Sequence, residues 1–131
     1  MSDQYGMSTS LDRDFDVTVA DVKAALADQG FGIITEIDMQ ATLRNKLGVE
    51  IEPQVILGAC NPGFAHQALQ AEPSIGLLLP CNVVIRRHGH MTVVEMINPA
   101  TMTTLTANDE VGKIAGDVSE RLGMAMTAVI G

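Results

Sequence analysis

At 131 residues the chain has the length of one ordinary domain, able to bury a core without disulfide staples, and it is read as a single domain over residues 1–131. Sixteen carboxylates oppose eight Lys and Arg, a formal net charge of −8, and the aromatic content is one Tyr, three Phe and no Trp. Nucleic-acid and anionic-membrane binders cluster positive charge, often beside stacking aromatics, so neither partner is expected here.

The opening stretch, Met1 to Gly6, carries no positive n-region and no apolar h-region, so no signal peptide is expected. Tyr5 to Leu11 is small and polar and reads as a first strand. Thr18-Val19-Ala20-Asp21 matches a capping box, and the helix it opens places Val22, Ala25 and Leu26 on one face before Gly30. Phe31 to Ile37 alternates and is rich in β-branched residues, the pattern of a strand. Asp38 can cap a second helix with Met39, Leu43 and Leu47 four apart, ended by Gly48.

Gln54 to Ala59 reads as a buried strand. Asn61 is then a good N-cap, and Pro62 suits the first helical position. The short helix from Pro62 to about Gln70 is expected to bury Phe64, Ala65, Ala68 and Leu69. Ile75 to Leu79 reads as a strand broken by Pro80. Val83 to Arg87 and Met91 to Ile97 form a hairpin across His88-Gly89-His90. Asn98-Pro99 repeats the helix opener, and a last helix from Thr106 or Asn108 carries Val111, Ile114, Ala115, Val118, Leu122 and Ala125 as its apolar stripe. Helices interleaved with strands, one pair of them a hairpin, imply an α+β fold. Its mixed, mainly antiparallel sheet carries helices on one face, a long C-terminal helix among them. The longest apolar stretches are too short to cross a bilayer, so the chain reads as cytoplasmic, where cysteines are expected as reduced thiols.

The only two cysteines are dressed alike, in Cys60-Asn61-Pro62 and Pro80-Cys81-Asn82. Cys60 precedes a helix N-terminus, where the dipole and free N–H groups favour a thiolate. Cys81 follows a proline that breaks a strand, where a side chain can be re-aimed. Neighbouring strands would bring both thiols to one sheet edge. Cys60, Asn61, Pro80, Cys81 and Asn82 are therefore the candidate ligand site. Two soft thiolates, Cys60 and Cys81, are also a candidate metal site, Cu(I) being the ion that accepts such a pair. The bland alternative is that both cysteines are buried small hydrophobes and both asparagines only build turns.

The run Gly58-Ala59-Cys60-Asn61-Pro62, with Ala65 and Leu69, and the run Gly76 to Val84 through Pro80-Cys81-Asn82 resemble the bacterial and archaeal family called domain of unknown function 302. The resemblance spans about Tyr5 to Val129. It implies a small α+β domain, a homodimer, and a cytoplasmic or cell-associated bacterial protein, and it implies no established activity or cofactor.

Other chemistry has less behind it. His66 is six residues from Cys60 but falls on the face opposite Phe64 and Ala68, toward solvent. His88 and His90 read as the polar tip of a hairpin, or as a two-ligand patch. Of the eight methionines, Met39, Met96, Met124 and Met126 lie in segments expected to pack inside and read as core filler. No Gly-x-Gly-x-x-Gly, Walker loop, Gly-x-Ser-x-Gly or His-Glu-x-x-His is present, nor any Cys-x-x-Cys. Glu36 and Glu95 are candidate general bases. Three functions follow: a homodimeric binding module for a small ligand, metal or sulfur species at the two cysteine turns; a thiol redox enzyme with Cys60 reactive and Cys81 resolving; or a purely structural dimer.

Overall fold

The computed structural model describes residues 5–131; Met1 to Gln4, part of the stretch searched for a signal peptide, lie outside the described residues. Five strands form one sheet in the order β1-β5-β4-β3-β2, with every neighbouring pair antiparallel. They are β1 (Gly6–Leu11), β2 (Gly32–Asp38), β3 (Gln54–Cys60), β4 (Cys81–His88) and β5 (Met91–Ile97). The helices are α1 (Phe15–Asp28), α2 (Met39–Leu47), α3 (Pro62–Ala71), α4 (Ala100–Thr106) and α5 (Asp109–Ile130), with a 3-10 turn at Pro73–Leu78. The α+β fold with helices on one face and a long C-terminal helix is as the sequence implies.

Alternation on the central strands builds the core. Val55, Leu57 and Ala59 of β3 stand opposite Ile85, Val83 and Cys81 of β4, and all six are buried. Val94 and Met96 of β5 extend the same face. Against it lie α1 through Val22, Ala25 and Leu26, and α5 through Val111, Ile114, Ala115, Val118, Leu122, Ala125, Met126 and Val129. Burying a large aliphatic side chain is worth about 1.5–3 kcal/mol, so this stripe holds the helices on the sheet. No helix among the described residues is long and apolar enough to cross a membrane.

Local signals place most boundaries. Asp38 accepts from the Ala41 amide at 2.9 Å, and α2 closes at Gly48. Asn61 accepts from the Phe64 amide at 3.2 Å, with Pro62 in the first turn of α3. Asn108 caps α5 by accepting from the Glu110 and Val111 amides.

Two expectations fail. Helix α1 begins four residues before the expected turn, because Asp14 caps it by accepting from the Val17 amide. Thr18 is fully buried inside the helix, its hydroxyl donating to the Asp14 carbonyl at 2.7 Å. The segment expected as a strand from Ile75 to Leu79 is mostly the 3-10 turn. A period of three puts Ile75 and Leu78 inward and leaves Leu77 87% exposed, which strand alternation cannot do.

The hairpin tip is held by Arg87. Its guanidinium donates to the Thr92 hydroxyl and to the Arg13, Gly89 and His90 carbonyls. Buried Thr92 donates in turn to the Arg13 carbonyl at 2.7 Å. His88 and His90 are both exposed.

Candidate functional site

Helix α3 presents Phe64, Ala65, Ala68 and Leu69 along one side, yet only Ala68 is buried. The stripe borders an open space of about 340 Å³, with Ala68 in the core and Phe64 packed against it. Ile114 and Val118 of α5 and Met102 of α4 form the opposing wall. The ends of β3 and β4 bring Cys60, Asn61, Pro80 and Cys81 into the lining. Four of the five candidate ligand residues therefore converge on one apolar space.

Asn82 does not join them. It stands opposite Gly58, one residue out of phase with buried Cys81, so its side chain leaves by the other face of the sheet and is exposed. The same phase rule separates the thiols. Ala59, not Cys60, pairs with Cys81, which sets the two cysteines on alternate sides of the pleat. Both are free. They border one cavity without forming a cysteine pair, and the expected juxtaposition of two sulfurs is corrected accordingly.

The two thiols also differ in setting. Cys60 is half-buried at the strand end, one residue before the Asn61 cap. Cys81 is only 7% exposed, and burial, with a smaller contribution from Cys60, pushes its pKa up to about 11. Cys81 is thus a neutral thiol at physiological pH. Among the described residues no three His, Cys, Asp or Glu side chains gather as a metal-binding group. His66 is exposed, as its helical phase implies.

Pro80 also packs over β3, on the side of the strand that Gly58 faces together with Asn82. A Cβ at Gly58 would lie 2.7 Å from the Pro80 Cγ and would collide with the Thr35 hydroxyl, so only glycine lets both side chains close over the strand. The expected general bases lie elsewhere. Glu36 pairs with Lys23 at 2.8 Å and Glu95 with Arg86 at 2.9 Å, and neither lines the cavity.

The lining residues Phe31, Ile34, Leu79 and Met102 were not among the expected site residues, nor was Arg121, which lies beside the cavity outside its lining. The Arg121 guanidinium of α5 lies over the Phe64 ring, 5.4 Å from its centroid, and donates to the Gln29 carbonyl at 3.2 Å. Its place beside Leu122 on the final helix gives no local sign of a partner on α3. Only the packing of the two helices reveals it.

Comparisons with known proteins agree with this architecture. The family described as "Domain of unknown function DUF302" matches residues 7–129. The fold is similar to that in the crystal structure of an uncharacterised conserved DUF302 protein from Bacillus stearothermophilus, with a TM-score of 0.87 and 24% identity over 94% of this chain and 96% of that one. No curated protein matches the sequence.

Proposed function

From the premise that the chain belongs to the family of domain of unknown function 302, we propose that it is a binding module for a small, mainly apolar ligand. The ligand sits in the cavity between α3, α5 and the ends of β3 and β4, with Cys60, Asn61, Pro80 and Cys81 at its border.

The observation that carries this reading is the cavity itself, about 340 Å³. The space opens to solvent, with exposed Ile34 and Leu69 in its lining. The apolar stripe of α3 forms one side of it, and its size is within the range of small-molecule sites. Apolar walls with a few polar groups at one end are the usual composition of such sites.

The alternatives draw less support. A two-thiolate metal site needs both sulfurs together, whereas the thiols are out of phase. The same offset weakens a redox couple in which Cys81 resolves Cys60. A cytoplasmic setting is part of the proposal. So is a homodimer, supported by large apolar side chains left in solvent, Leu77, Leu105 and Leu47 among them.

Native mass spectrometry of freshly purified protein, before and after denaturation, tests the binding reading. Wild-type protein should carry a noncovalent mass that denaturation removes, or should take up added decanol. Ala68→Phe, which fills the space from the α3 side, should do neither while keeping its circular dichroism spectrum. Equal uptake by the wild type and Ala68→Phe, or none by the wild type, would overturn the proposal.

A further inference from the structure

Two nitrogen donors lie close together beside the cavity, one on the lining residue Asn61 and one on Arg121, whose guanidinium covers the lining residue Phe64. Asn61 caps α3 through its Oδ1, which accepts from the Phe64 amide at 3.2 Å. That bond fixes the amide orientation and turns the Nδ2 group toward Gly30. A Cβ placed at Gly30 would lie 3.0 Å from Asn61 Nδ2 and 3.6 Å from Arg121 Nη1. Gly30 has φ +84°, so the backbone itself selects glycine, and the space its missing side chain leaves is bordered by both donors.

The charge at this point is unspent. Among the described residues the four ion pairs use Arg13, Lys23, Arg44 and Arg86. Arg121 has a carbonyl and a ring for company but no carboxylate within ion-pair distance. In a chain with a net charge of −8, carboxylates are not scarce. The ring beneath the guanidinium is Phe64, which also lines the cavity. A cation held over an aromatic face loses water on that side and still offers its remaining N–H groups outward.

We infer that the ligand is an amphiphile with one carboxylate, its apolar body in the cavity and its head at Arg121 and Asn61 Nδ2. The inference rests on the binding reading and adds the ligand's class. The walls of α3 and α5 suit hydrocarbon, and the two donors beside Phe64 can donate to an anionic oxygen pair. Arginine matches a carboxylate fork to fork. A neutral chain of the same length would fill the cavity equally and leave the guanidinium unused.

Decanoate and decanol, titrated calorimetrically into the wild type and Arg121→Gln, separate the two claims. Arg121 is exposed, so its contribution belongs to the range of solvent-exposed ion pairs, worth at most about five-fold in affinity. Wild-type protein should prefer decanoate over decanol. Arg121→Gln should weaken decanoate by about that factor and leave decanol within about two-fold. Raising the salt concentration should weaken decanoate alone. Equal binding of the two probes by the wild type, or an undiminished preference in Arg121→Gln, overturns the carboxylate inference and spares the cavity. Failure of both probes to bind the wild type overturns both.

Discussion

Burial makes the two cysteines chemically unequal, and alkylation should expose the difference. An ordinary thiol of pKa about 8.5 is roughly 3% thiolate at pH 7. Cys81, pushed up to about 11 by burial, holds only about 0.01% thiolate at that pH, some 300-fold less. Each thiolate of higher pKa is the better nucleophile, and a Brønsted coefficient of about 0.4–0.5 returns roughly 10- to 20-fold of the loss. Cys81 should therefore react with iodoacetamide at least about 15-fold more slowly than free cysteine, before steric exclusion at 7% exposure slows it further. The assay is peptide mass spectrometry of timed samples, with Cys60→Ser used to follow Cys81 alone. Half-buried Cys60 should be labelled first. A Cys81 rate in folded protein equal to that of free cysteine would refute the burial argument and reopen the two-thiol readings.

Other outcomes follow from the same structure. Because the folded pKa of Cys81 is raised, its contribution to stability is fully present below about pH 8.5 and is lost as pH rises toward about 11. The extra slope, at most about 1.4 kcal/mol per pH unit, should vanish in Cys81→Ala when urea unfolding is followed across that window. Leu122→Ala, at a fully buried position of the α5 stripe, should cost about 2–5 kcal/mol by the same unfolding measurement, and a cost below 1 would contradict the packing described. Thr92→Val should cost about 1–3 kcal/mol, because it removes a hydroxyl that donates to the Arg13 carbonyl and accepts from Arg87. An isosteric change without cost would show that network to be idle.

Much of the fold was legible because local chemistry decided it. Asp38 with Gly48, Asn61 with Pro62, and Asn108 act within a turn of themselves, so their caps could be read without neighbours. The α5 stripe has a single dominant period and buried as expected. The failures occurred where two local signals competed. Thr18 matched a cap motif, but Asp14 took that role and left the threonine to bond back along the helix. Ile75 to Leu79 offered too few residues to tell a period of two from a period of three.

The site was half legible for a related reason. The two cysteine-asparagine steps look alike as text, yet Asn61 ends a strand and Asn82 lies within one. Only the first asparagine leaves the pleat as a helix cap; the second is carried to the opposite face by alternation. The α3 stripe was visible, but an apolar face meeting a cavity has the same periodicity as one meeting a core. Arg121 gave no sign, since its partners Gln29 and Phe64 are brought to it only by the tertiary fold.

The most direct test of the cavity as a ligand site is amide chemical-shift mapping by nuclear magnetic resonance while decanol, a neutral probe, is titrated into the wild-type protein. Saturable shifts are expected at Cys60, Phe64, Ala68, Cys81 and Val118 and their neighbours around the cavity, and nowhere else. Shifts scattered over the exposed leucines, or none at these positions, would contradict it.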